Sequence, residues 1–278
     1  MLTKPRLVTL VLITTLVGFY LGSSSRVDLP LLGLTILGTA LSAAGALALN
    51  QYLERDLDAR MERTRMRPLP DHRLAPVDAL VFGAVCAVSG LVVLTVLASP
   101  LAGAVTAATL AIYLFAYTPL KQKTSLATMV GAVPGALPPV TGWVAAHGSF
   151  GAGAAALFAI LFFWQLPHFL SLAWLYRDEY SRAGIVVLPA SDPDGTITGR
   201  QMVVNLLALL PAALLPSLIG LAGTLYFTGA ILLTGGFLAF GVWFAVTRSL
   251  PGARRVFLAS LAYLPALLAL LAFGRTPA

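Results

Sequence analysis

Long apolar stretches follow one another along the whole chain, continuous rather than alternating, with short polar segments between them. A helix that crosses a bilayer needs about 20 mainly apolar residues, with about 17 tolerated, because each adds roughly 1.5 Å against a hydrocarbon layer of about 30 Å. Nine stretches qualify: Leu7 to Gly22, Leu31 to Leu49, Pro76 to Ala98, Leu101 to Tyr117, Leu126 to Ala146, Ala152 to Leu175, Val203 to Leu225, Phe227 to Val246 and Val256 to Phe273. They are rich in Leu and Ala and lack the in–out alternation of barrel strands, so the pattern predicts helices. No Ser/Gly/Pro-rich linker separates two composition zones, which predicts one membrane domain over residues 1–278.

Composition agrees with that pattern. Of 278 residues 58% are hydrophobic and 10% charged, too little polar surface for a soluble domain to cover itself. Lys4 and Arg6 ahead of the first stretch, and Ser23, Ser24 and Ser25 behind it, have the outline of a secretory signal. The second stretch starts almost at once, which favours a retained first helix. With nine spans, the N-terminus and the connections after spans two, four, six and eight share one face, and they hold every Lys and Arg except Arg26 and Arg275. Basic residues near helix ends stay on the cytoplasmic side, so the expectation is a multi-pass protein of the inner (cytoplasmic) membrane with its N-terminus and acid-rich loops in the cytoplasm. The net charge of +7 is then topology and affinity for anionic membrane lipid, and no nucleic acid need be invoked. Cys86 stands alone, which excludes an intramolecular disulfide and a cysteine metal cluster.

The acids are scarcer and more concentrated. Six of eleven fall between Glu54 and Asp78 and four more between Asp178 and Asp194, directly after spans two and six. If the second helix continues, Asn50, Glu54 and Asp58 lie about 40° apart in turn on one face over about 12 Å. Such a stripe of hard oxygen donors suits Mg²⁺, which commonly binds through one or two carboxylates plus substrate phosphates. Asp56 points off that face, and Arg55, Arg60, Arg63, Arg65 and Arg67 crowd the same segment as partners for acids or phosphates. A solvated loop with surface ion pairs is the alternative reading of the same spacing. The second cluster, Asp178 and Glu179, favours a metal-diphosphate held between two loops on one face.

Three stretches, NQYLERDLDARMERTRMRPL, YTPLKQKTSLATMVGAVPGALPPVTGW and WQLPHFLSLAWLYRDEYSRAGIVVLP, resemble the UbiA-type intramembrane prenyltransferases, and within them the heme-farnesylating branch. The resemblance covers nearly the whole chain. It implies an all-α bundle around a central cavity, in which farnesyl from farnesyl diphosphate is transferred to a vinyl group of protoheme IX, with water supplying a hydroxyl, to give heme O. Association with a heme A synthase or a terminal oxidase pathway is a further expectation. Carried onto this chain, the family's metal and catalytic positions are Asn50, Glu54, Asp58 and Asp178, with Lys121 as a catalytic cation and Arg63, Arg67, Lys121, Lys123 and Arg182 toward the diphosphate. Glu54 stands where the family has Asp, and Val186-Val187 where it usually has Pro-Met. Trp164, His168 and Tyr180 become candidates for the heme, and Phe162, Phe163, Phe169 and Trp174 for an aromatic lining around the allylic cation. His168 beside Pro167 has a second reading, in which it satisfies backbone carbonyls freed by the proline. An acceptor of aromatic or chlorin type would keep both acid clusters but lack YTPLKQKT and WQLPHF. A secondary transporter would place ionisable groups near the bilayer midplane, whereas the acids here sit at helix ends.

Overall fold

A computed structural model describes residues 2–24 and 26–276, so Ser25 of the small-residue triplet lies outside them. Among the described residues nine helices are long and apolar enough to span a membrane: α1 Pro5–Gly22, α2 Leu29–Leu53, α3 Pro76–Ala98, α4 Pro100–Leu120, α5 Ala127–His147, α6 Ala152–Leu175, α7 Thr196–Leu218, α8 Thr224–Thr247 and α9 Leu250–Phe273. The protein is all-α and multi-pass.

Two spans start more than a helical turn earlier than the apolar pattern predicts. α7 begins at Thr196 instead of Val203, because buried Asp192 accepts hydrogen bonds from the backbone N–H and the hydroxyl of Thr198 and so anchors a polar first turn. It ends at Leu218, before Gly220 takes a left-handed φ of 77°. α9 starts at Leu250, where the Ser249 hydroxyl accepts from the Gly252 N–H, and the helix carries Arg254 and Arg255 within it. α5 is two pieces, Ala127–Ala136 and Pro138–His147, since Pro138 and Pro139 cannot donate to the preceding turn. α3 and α4 each contain π-helical turns, at Val93–Ala98 and Ile112–Tyr117.

One buried apolar cluster runs from Phe19 on α1 to Leu271 on α9. α1 packs on the second half of α5, α2 on α3, and α6, α7, α8 and α9 close the other side of the bundle. Small residues set the closest approaches: a Cβ added at Gly18 would lie 2.0 Å from the Pro139 carbonyl oxygen, and one at Gly142 would lie 2.0 Å from that of Thr15. Val77, Val81, Val85, Val88, Val92 and Val96 of α3 face outward, as a lipid-facing side requires.

Candidate active site

Three connections meet at one end of the bundle, those after α2, α4 and α6. The turn after α2 keeps its helical register: Glu54 donates its N–H to Asn50 O (2.9 Å) and Asp58 to Glu54 O (2.7 Å), through a short helix Arg55–Asp58. Asn50, Glu54 and Asp58 therefore lie along one face, and all three are buried. The chain then folds back, the Thr64 hydroxyl donating to Asp58 O at 2.8 Å, which brings Arg67 onto the Asp58 carboxylate (2.5 Å). Leu57 and Met61 pack on Ala183 and Ile185 from the connection after α6. Arg63 joins the same two segments: its N–H donates to Glu179 Oε1 (2.9 Å) and its guanidinium to the Tyr180 hydroxyl (3.2 Å). From the connection after α4, Lys121 donates Nζ to Glu54 Oε1 (2.7 Å) and lies 4.3 Å from the Tyr117 ring centre, while its carbonyl accepts from the Val186 N–H.

These groups form the mouth of a cavity of about 510 Å³ that runs into the bundle between α1, α2, α4, α5 and α6. The mouth holds Asn50, Glu54, Asp58, Arg63, Arg67, Lys121 and Tyr180, and the depth holds Trp164, Gln165, His168 and Phe169. Gly131 and Gly135 line the same space, and a Cβ there would meet the Tyr117 ring at 2.5 Å or Gln165 Oε1 at 2.2 Å. The glycines of GAVPGALPP thus keep the cavity wall thin.

Charge at the mouth is balanced by neighbours. Burial pushes the Asp58 carboxyl up, while the Arg67 guanidinium pulls it back. Burial works against the Lys121 ammonium, but Tyr117, Glu54 and Tyr113 outweigh it and hold its pKa above the ordinary lysine range. Burial also raises the Tyr180 phenol. Asn50 donates its Nδ2 to Thr118 Oγ1 (3.2 Å), leaving its carbonyl oxygen for whatever occupies the cavity.

The second acid cluster is arranged differently. Asp178 is fully outside the mouth, its side chain 91% exposed and its ion pair to Arg177 a loose one of 3.9 Å. Lys123 and Arg182 are exposed as well and do not line the cavity. Successive residues on the short helix Arg177–Ala183 are about 100° apart, so with Tyr180 facing the cavity Asp178 cannot. Among the proposed aromatic residues, Trp164 and Phe169 line the space, whereas Trp174 packs edge-on against Phe244, and Phe162 stacks on Phe158 and meets Phe163 edge-on. His168 bonds through Nδ1 to the Ser260 hydroxyl (2.7 Å), and among the described residues no backbone carbonyl freed by Pro167 engages its ring.

The family model for UbiA prenyltransferases matches residues 11–273. The chain belongs to the UbiA prenyltransferase family. It is 46% identical to the protoheme IX farnesyltransferase of Solibacter usitatus (strain Ellin6076), with 99% of this chain and 97% of the relative covered. The corresponding protein of Aquifex aeolicus (strain VF5) is 40% identical over 96% of this chain and 91% of its own. Among solved structures, a digeranylgeranylglyceryl phosphate synthase superposes with a TM-score of 0.84 at 15% identity, covering 98% of this chain and 95% of that one. A UbiA homolog from Archaeoglobus fulgidus bound to GPP and Mg²⁺ superposes with a TM-score of 0.69, also at 15% identity, over 97% and 98% of the two chains. These structural likenesses carry the fold.

Several lining residues of this UbiA-family chain escape a reading of motifs. Lys4 passes for a positive-inside residue, yet it lines the cavity, where burial, with Arg67 and Lys121 nearby, lowers its pKa to about 8. Tyr113 and Tyr117 pass for interface aromatics of α4, and Gln165 for a bystander between Trp164 and His168. The signal available for Gln165 is its polarity inside an otherwise apolar span.

Proposed function

We propose that this protein transfers the farnesyl group of farnesyl diphosphate to a vinyl group of protoheme IX. The observation that carries the reading is the polarity of the cavity: a mouth of paired carboxylates and cations leads into an aromatic, apolar depth, in a chain that aligns over nearly its whole length with proteins named for this reaction. The donor set at the mouth fits Mg²⁺ with diphosphate. Glu54 and Asp58 carboxylates and the Asn50 carbonyl oxygen are hard ligands, and two carboxylates completed by phosphate oxygens are what this ion commonly takes. Mg²⁺ bound there supplies positive charge to the leaving diphosphate.

The chain's own residues do the rest. Lys121 and Arg67, paired with Glu54 and Asp58, are the cations placed beside the phosphates, with Arg63 at the rim. The allylic C–O bond breaks with its electron pair leaving on the diphosphate, and the vinyl π electrons close the new C–C bond. Water then adds to the cationic porphyrin-side carbon and loses a proton. Trp164 and Phe169 shield the allylic cation from earlier capture by water. The basic face carrying the mouth is assigned to the cytoplasm by its Lys and Arg residues. A cysteine introduced by Ser191→Cys should therefore resist a reagent confined to the outside, and selective labelling from that side would reverse the assignment.

The deciding experiment incubates purified protein with protoheme IX, farnesyl diphosphate and Mg²⁺ and looks for the mass of hydroxyethylfarnesyl heme. Product from an aromatic or chlorin acceptor, with none from protoheme, would overturn the acceptor. No Mg²⁺-dependent consumption of farnesyl diphosphate would overturn the reaction.

A further inference from the structure

Ser260 on α9 is fully buried behind the cavity wall, and three contacts converge on it. Its hydroxyl oxygen lies 2.6 Å from Phe257 O, its carbonyl accepts the Trp164 indole N–H at 2.9 Å, and the His168 Nδ1 lies 2.7 Å from its hydroxyl oxygen. A carbonyl oxygen only accepts, so the single Ser260 hydroxyl proton is committed to Phe257 O. Toward His168 the hydroxyl is left as an acceptor, which requires the proton of the neutral imidazole to be on Nδ1. The other ring nitrogen, Nε2, then carries a bare lone pair. It meets no protein partner among the described residues, and His168 lines the cavity. The ring is also held in plane: Phe257 stacks on it at 5.0 Å between centres and 27°, and Trp164 at 5.5 Å and 22°.

A neutral imidazole with its tautomer fixed by a hydrogen bond at one nitrogen is the arrangement metal-ligating histidines use. We infer that His168 Nε2 is an axial ligand for the iron of the porphyrin substrate, with Ser260 as the residue that positions it. This rests on the proposed acceptor and deepens it: a ligand on the iron fixes where the macrocycle sits along the cavity. His168 lies seven residues before the end of α6, hence about 10 Å deeper than the loop that carries Tyr180, so the iron anchors in the depth while the diphosphate stays at the mouth.

The test uses the full-length protein in lipid nanodiscs, titrated with protoheme IX and, separately, with metal-free protoporphyrin IX. Wild type should give the absorption and electron-paramagnetic signature of imidazole-ligated heme. His168→Ala should lose that signature and at least about tenfold in protoheme affinity, while protoporphyrin affinity changes less than about twofold. Ser260→Ala, which leaves the imidazole in place, should keep ligation but weaken protoheme binding about tenfold, again sparing protoporphyrin, and Ser260→Thr should restore it. Equal losses for the two porphyrins in His168→Ala, or no imidazole signature in wild type that nonetheless makes farnesylated product, would overturn the ligand assignment alone. An imidazole signature without any product would leave the ligand standing and overturn the transfer reading.

Discussion

The two acid-bearing connections, after α2 and after α6, look alike in composition and differ in what they deliver to the cavity. In the first, the acids are four residues apart on a helix that keeps its i→i−4 bonds, so Glu54 and Asp58 enter the mouth together with Asn50. In the second, Asp178, Glu179 and Tyr180 are adjacent, and one helical turn sends them three ways: Asp178 into solvent, Glu179 to the Arg63 backbone, Tyr180 to the cavity. Spacing decides the role, and number does not. The first connection lines the mouth with carboxylates, and the second acts as a clamp that holds Arg63 and the segment around Met61 in place.

The largest effect that would break this contrast is the loss of one carboxylate from the mouth. Asp58→Asn keeps the shape and removes a charge from the proposed metal site, so turnover should fall by about 10²-fold or more. Activity within a few-fold of wild type would remove Asp58 from the metal site. A middle-sized effect separates the mouth's cations from those in the exposed loop. As pH rises through about 8 the free enzyme loses the Lys4 charge, so kcat/KM for farnesyl diphosphate should drop about fivefold by pH 9.5. Lys4→Met should flatten that limb of the profile, and an unchanged profile would take Lys4 out of donor binding. The sign for stability is the opposite one. Between about 8 and the ordinary lysine value of 10.5 the unfolded chain holds more protons at this site, so the Lys4 contribution rises with pH across that window. The smallest effect belongs to the second loop: Asp178→Asn should change turnover by less than about twofold, because an exposed carboxylate with a 3.9 Å partner has little to lose. A loss comparable to that of Asp58→Asn would mean that the second loop closes over the substrate and becomes a ligand in its own right.

Much of this was legible in the sequence, for identifiable reasons. The nine spans were, because continuous apolar length is read directly from composition. The stripe Asn50, Glu54, Asp58 was, because i, i+4 spacing survives even a helix break when the backbone bonds persist. The fate of Asp178, Lys123 and Arg182 was not, because a loop's orientation is set by what it docks on, here Leu57 and Met61, and no periodicity encodes that. The start of α7 at Thr196 was hidden for a similar reason: a polar first turn looks like loop until buried Asp192 is seen to anchor it. The place of Lys4 in the cavity lining was hidden as well, because a basic residue ahead of the first span reads as a topology signal, and only the fold brings it near Arg67 and Lys121.

The seam between α1 and the second half of α5 has a mechanical meaning. Where the place of a Cβ at Gly18 or Gly142 falls 2.0 Å from a neighbouring carbonyl oxygen, two backbones touch with no side chain between them to act as a cushion. Such a contact can neither compress nor slide by a fraction of a turn, so this flank of the bundle behaves as a stiff keel. The first half of α5, set off from that keel at Pro138 and Pro139, is held by other neighbours: Gln165 of α6 donates Nε2 to Ala132 O (2.7 Å), and Gly131 and Gly135 lie directly against Tyr117 and Gln165. The two halves of one span thereby do different work: Pro138–His147 locks the flank, and Ala127–Ala136 gives its bare backbone to the wall of the cavity.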